Sequence, residues 1–180
     1  MKLEKFREIT TASETLYKGR ILNLRKDEVR LSNGHITQRE IVEHHGAICV
    51  VPVQDDGKII LVRQFRKPAE QALLELPAGS IEIGEDPLVC AHRELEEECG
   101  LKAAQMTPLF QCYLAPGYSS EFMHGFLARG LQKVDLNPED DEILEIETYA
   151  LNELLPMIND GRIRDAKTIC GVLMVSSPGF

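Results

Sequence analysis

Between Asp86-Pro87 and Gly100 the sequence closes one helix at both ends and leaves it a single side to bury. An aspartate ahead of the first turn accepts backbone N–H groups, and proline at the first helical position forfeits no hydrogen bond. Glycine just past the end suits the left-handed residue that stops many helices. At about 100° per residue, Leu88, Ala91, Leu95 and Cys99 fall on one apolar stripe. A helix with one such stripe must lie on another layer, so the rest of the chain has to provide it.

The flanking sequence supplies strands for that layer. Residues 16–31 and 35–44 read as two strands around Asn33-Gly34, a strong hairpin turn signal. "GAICVVPV" has the continuous apolar run of a buried strand, and Asp55 to Gly57 turn it into "KIILVRQF". "ALLELPAG" is a further short apolar run leading into the helix. Beyond the helix, "LFQCYLAPG", "EFMHGFLARGL" and "ILEIETYAL" are strand-like, with the acidic "NPEDDE" loop before the last. "NELLPMINDG" and "DAKTICGVLMVSS" read as C-terminal helices, Gly161 ending the first. Many strands with few helices and no repeat or linker imply an α+β or α/β layered domain, with the opening hairpin as a possible separate lobe.

The helix carries more negative charge than stability favours. Glu94, Glu97 and Glu98 share the arc beside the apolar stripe, because positions three and four apart meet on a helix surface. Each like-charged pair costs a few tenths of a kcal/mol, roughly. Carboxylates near a helix C-terminus also face the negative end of its dipole. Arg93 can offset one of them, with Glu97 at i+4 the expected partner. Such an arc is either a solvated acidic face or a place where a cation joins. Hard divalent ions take oxygen ligands, and magnesium uses one or two carboxylates with waters and phosphate oxygens.

The spacing around this arc resembles the box of the Nudix hydrolases, G-x5-E-x7-R-E-U-x-E-E-x-G-U. Here it reads Gly79, Glu85, Arg93, Glu94, Leu95, Glu97, Glu98, Gly100 and Leu101, nine fixed positions in twenty-three residues. The resemblance implies an α+β fold, an α/β/α sandwich with a mixed sheet, joined to an N-terminal antiparallel β-hairpin lobe. It implies Mg2+ or Mn2+ as cofactor, held by Glu94, Glu98 and the carbonyl of Ala78, with Glu97 close by. Arg93 then orients by ion pairing and Glu85 anchors the loop.

Segments outside the box are similar to the ADP-ribose pyrophosphatase and nucleoside diphosphate sugar hydrolase branch. "APGYSSE", residues 115–121, looks like the branch's S-P-G-x-x-x-E, with alanine in place of serine. "RQFRKP" before "LLELPAG" places Arg66 where the branch has an arginine on the diphosphate. Arginine suits that task because its planar fork grips two phosphate oxygens. By the same resemblance Arg39 and Glu40 approach the nucleoside, and Ser80 and Glu121 are further substrate contacts. The general base of the branch is a glutamate on the loop that here reads "NPEDDEILEI": Glu142, or Glu139 because loop length varies.

The implied reaction is hydrolysis of ADP-ribose to AMP and ribose 5-phosphate. Alternatives are GDP-mannose or a broader set of nucleoside diphosphate sugars, and a nucleotide-sensing module without catalysis. The branch also implies a homodimer that exchanges its N-terminal sheet, with residues 1–45 as the β lobe and 46–180 as the hydrolase domain. A net charge of −9 supplies no basic stripe for nucleic acid. No apolar run approaches membrane-spanning length, and the N-terminus lacks the apolar segment of a secretory signal. Five cysteines without a CxxC pair suit reduced thiols and a cytoplasmic setting.

Overall fold

The computed structural model describes residues 4–135 and 143–177. The chain folds as two compact units, the first comprising Met1–Gly46 with Tyr113–Phe122 and the second Ala47–Cys112 with Met123–Phe180.

In the first unit, β1 (Ile9–Lys18), β2 (Asn23–Arg30) and β3 (Ile36–Glu43) form an antiparallel sheet in that order. The Asn33-Gly34 turn joins β2 to β3: Gly34 has φ 85° and the Leu31 N–H donates to the His35 carbonyl at 2.9 Å. The stretch 16–31, expected as one strand, is the end of β1 and all of β2 around a turn in which the Gly19 N–H donates to the Leu22 carbonyl at 3.0 Å. All ten residues of β1 are exposed, so it shows no inside–outside alternation that would set its limits in sequence. Asp27 is buried in this sheet, where Ser13 Oγ donates to it at 2.6 Å and Arg25 Nε at 3.1 Å. Those bonds hold its carboxyl below the usual carboxylate range, the serine bond first, against the opposing effect of burial.

The second unit is the layered domain. β4 (Ala47–Pro52) is buried at every residue, as its unbroken apolar run requires. It pairs parallel to β9 (Phe122–Lys133) and antiparallel to β7 (Ala78–Ser80), and β8 (Leu101–Tyr113) completes a four-stranded mixed sheet in the order β7-β4-β9-β8. β5 (Ile59–Arg66) lies between β10 (Glu145–Tyr149) and β6 (Gln71–Glu75) in a second sheet. Alternation along β4 sends Ile48 and Val50 into the core with Cys90, Ala91 and Leu95 of α1 (Pro87–Cys99). Val51 points the other way, toward α3 (Ala166–Val175), where a Cβ on Gly171 would meet its Cγ2 at 2.9 Å. Helices therefore cover both faces of β4, the α/β/α arrangement of an α+β fold, and α2 (Leu151–Asn159) packs against α3.

All five cysteines are unpaired. Burial pushes the thiols of Cys49, Cys90 and Cys99 up to about 12, so these three stay protonated at neutral pH. Among the described residues no helix is long and apolar enough to cross a membrane.

Candidate active site

The helix α1 starts and stops where its caps dictate. Asp86 accepts from the Leu88 N–H at 2.8 Å, and Gly100 sits left-handed at φ 61°. Its buried face differs from the expected stripe. Leu88 is exposed, whereas Cys90, Ala91, Glu94, Leu95, Glu98 and Cys99 are buried. Two of the glutamates thus belong to the inward face, Glu94 at 9% and Glu98 at 2% exposure, and the picture of a solvated acidic face fails for both.

What receives them is β7. Paired to β4 through Cys49–Ala78 and Ile48–Gly79, it runs beside the helix. The Ala78 N–H donates to Glu98 Oε2 at 2.9 Å. The Glu94 carboxylate lies so close over Gly79 that an added Cβ there would be 1.8 Å from Oε1. The glycine is needed for close approach, since its φ lies outside the left-handed region. Glu98 at Ala78 and Glu94 at Gly79 therefore converge on two adjacent residues of β7.

Arg93 does more than the single pairing expected from spacing. Its Nη1 reaches Glu94 Oε1 at 2.7 Å and Glu97 Oε2 at 3.0 Å, while Nε and Nη2 hold Glu85 at 3.0 and 3.1 Å. Five donors in one planar group make this possible, where a spacing rule counts one partner. Glu85 also accepts from the Glu82 N–H at 3.0 Å, closing the loop ahead of the helix. The Arg93 bonds first, then that N–H, hold the Glu85 carboxyl down to about 2 against the effect of burial. Ser80 is exposed; its carbonyl, at 3.4 Å from Arg93 Nη2, rather than its hydroxyl, meets this cluster.

Arg66, at the end of β5, has its fork engaged by a protein carboxylate. Nε and Nη2 donate to the two oxygens of Glu75 at 2.9 and 2.8 Å. Glu75 is 1% exposed and accepts also from Lys167. Lys167 in turn lies 3.1 Å from Asp165, the N-cap of α3. Sequence reasoning missed Glu75, Asp165 and Lys167. The signal was a lone charge inside an apolar run, Glu75 within "ALLELPAG" and Lys167 in the first turn of an apolar helix.

In the first unit, Arg39 and Glu40 line a cavity of about 400 Å³ with Glu8, Ile41 and residues 116–120. Arg39 is gripped by Glu8 at 2.6 and 3.0 Å. Glu121 is outside the lining, and its N–H donates to Ser119 Oγ at 3.1 Å. Glu139 and Glu142 lie outside the described residues.

Among the described residues no three His, Cys, Asp or Glu side chains could hold a metal ion by themselves. Glu94 and Glu98 nevertheless bring carboxylate oxygens side by side onto β7, at the cradle formed by Gly79 and at the Ala78 N–H. Those oxygens fit a hard cation completing its shell with water and phosphate oxygens, and do not suit a soft one.

Comparison with known proteins agrees with this architecture. The NUDIX domain model matches residues 43–171, and the model for the nucleoside diphosphate sugar hydrolase N-terminal domain matches residues 8–42. The chain belongs to the Nudix family. Within it, the chain is 40% identical over 168 residues to ADP-ribose pyrophosphatase of Bacillus subtilis (strain 168), covering 92% of this chain and 91% of that protein. It is 41% identical over 169 residues to the methanol dehydrogenase activator of Bacillus methanolicus, covering 93% and 91%. A crystal structure of an ADP compounds hydrolase superposes with a TM-score of 0.83 at 26% identity, covering 94% of this chain and 92% of that one.

Proposed function

We propose that the chain hydrolyses the diphosphate of ADP-ribose to AMP and ribose 5-phosphate, using magnesium or manganese. The observation that carries this reading is the convergence of Glu94 and Glu98 on Ala78 and Gly79. The likeness to an ADP-ribose pyrophosphatase supports the choice of substrate.

Glu94, Glu98 and the Ala78 carbonyl are the groups that would hold the cation, with Glu97 beside them. When bound, the cation supplies neutralisation of the diphosphate charge and acidification of water. Arg93 keeps Glu94 and Glu97 in place through short charge-assisted bonds. Arg66 presents its remaining nitrogen, Nη1, to phosphate oxygens while Glu75 holds its other edge. Glu142 takes the proton of the attacking water, with Glu139 as the alternative. Ser80, Glu121, Arg39 and Glu40 contact the substrate, the last two from the cavity of the first unit.

In this reading residues 1–45 form a dimerising lobe and 46–180 the hydrolase domain. The exposed β1, with Ile9, Leu16 and Tyr17 open to solvent, supports a second copy of the chain as its cover. The unpaired thiols suit a reducing cytoplasm.

The test is a panel of ADP-ribose, GDP-mannose, UDP-glucose and NADH with magnesium, ranked by kcat/KM. ADP-ribose is expected to lead, and a higher value for GDP-mannose would reassign the substrate. Light scattering of the purified chain should give twice the mass of one chain; a monomer that turns over ADP-ribose normally would remove the exchanged sheet.

A further inference from the structure

We infer that Glu75 and Lys167 are positioning residues for the reaction, a buried charge pair that aims Arg66 and ties the strand leading to Ala78. The inference rests on the proposed role of Arg66 at the diphosphate.

Glu75 ends β6 and, among the described residues, is the best-buried acid of the second unit. Its Oε1 takes Arg66 Nε, and its Oε2 is shared between Arg66 Nη2 and Lys167 Nζ. An arginine clasped by a carboxylate that has no other partner is neutralised and turned away from any second anion. A second cation on the same oxygen divides the pull of Glu75. Arg66 then keeps a fixed plane, set by two bonds from Nε and Nη2, with Nη1 outside that clasp to meet phosphate.

The same cluster reaches the backbone of the site. Asp165 accepts from both the N–H and the Oγ1 of Thr168, at 2.9 and 2.6 Å. Thr168 Oγ1 in turn accepts the Leu76 N–H at 2.8 Å. Leu76 precedes Pro77 and Ala78, whose N–H holds Glu98. The helix is seated close here, because a Cβ on Gly171 would approach Leu76 Cδ1 to 2.5 Å. A buried network of charges is weak evidence for stability, since apolar residues of similar volume often serve as well or better. Four charged side chains at one junction are better explained by the orientation they impose.

The test is a double-mutant cycle in the full-length chain, joining Arg66→Ala and Lys167→Met, with Lys167→Arg as the conservative variant. Lys167→Met is expected to raise KM for ADP-ribose about tenfold while kcat changes less, and Lys167→Arg to recover most of that loss. In the Arg66→Ala background the same change should add nothing. An unchanged KM, or effects that multiply in the double variant, would overturn the inference. Should Lys167→Met not fold, Glu75→Gln enters the cycle in its place, with the same expectations. The cycle is run in parallel on calorimetric binding of inorganic pyrophosphate. Failure of ADP-ribose turnover with coupled pyrophosphate binding would sink the substrate and leave the pair standing; independent effects in both would sink the pair.

Discussion

Replacing Gly79 with alanine separates the candidate metal site from the fold that carries it. The new Cβ would stand 1.8 Å from Glu94 Oε1, 2.0 Å from its Cδ and 2.5 Å from Oε2. Ordinary contacts of a Cβ begin at 3.4 Å, so the carboxylate has to withdraw by about 1.6 Å. The three nearest atoms to the new Cβ all belong to that one carboxylate. Gly79 does not occupy the left-handed region, and the obstructing atoms end a flexible side chain. Glu94 can therefore swing aside, giving up its 2.7 Å bond to Arg93, while the sheet stays paired. A ligand constellation tolerates only about 0.5 Å of displacement, and a 1 Å misplacement can cost about a hundredfold in rate. The expected outcome is a thermal midpoint within a few degrees of wild type, as for other changes absorbed at a side-chain end, and magnesium-dependent kcat/KM lower by about a hundredfold or more. Steady-state kinetics across a magnesium titration, paired with calorimetry, reads both. Wild-type turnover at wild-type magnesium would show that Glu94 need not sit over Gly79. A collapse of the fold would show that its carboxylate is a fixed wall.

Three further outcomes are expected. Glu98→Gln keeps an oxygen able to accept the Ala78 N–H but removes the charge, so magnesium-dependent turnover should fall about a hundredfold with the fold intact; retained activity takes Glu98 out of the site. Glu142→Gln should lower kcat far more than it weakens substrate binding, as loss of a general base does, by about a hundredfold or more; if Glu139→Gln does so instead, the base is Glu139. Glu85 is held down to about 2 from 4.5 in the folded chain, so its contribution to stability is complete above pH 4.5 and is lost as pH falls toward 2. Denaturant titrations across that window should flatten in Glu85→Gln, and an unchanged slope would deny Glu85 this part in acid unfolding.

Local signals are the ones the sequence displays most plainly. The caps of α1, the hairpin glycine Gly34 and the buried run of β4 each depend on residues within a few positions of one another, and all three stand in the structure. Hydrophobic patterning misreads the inward face of α1 because it treats glutamate as solvent-facing. Glu94 and Glu98 are turned inward by partners on β7, which sequence distance conceals. Arg66 shows the same limit. Its residue type suits phosphate, yet its grip by Glu75 runs along the β5–β6 ladder, whose register pairs Arg66 with Gln71 and Glu75 with Val62, so no cross-strand neighbour announces it. Lys167 is 92 positions from Glu75, a separation at which no periodicity speaks. β1 lacks any pattern because it has no buried side to generate one.

Arg93 answers part of the charge crowding around α1. Glu85, Glu94, Glu97 and Glu98 bring four negative charges to one cluster and Arg93 brings one positive charge, so these five side chains together carry a net of three negative. Glu96 stands apart, facing Lys102 at 3.4 Å. Arg93 is spent on geometry, since it joins the loop at Glu85 to the helix at Glu94 and Glu97. A second resident cation inside the cluster would lower the repulsion further and would also fill the position that an oxygen-bound divalent ion requires. Excess negative charge raises the free energy of the metal-free protein by an amount that binding such an ion returns. Negative charge gathered in this way is thus coherent with a site that takes a hard cation through the carboxylate oxygens it presents.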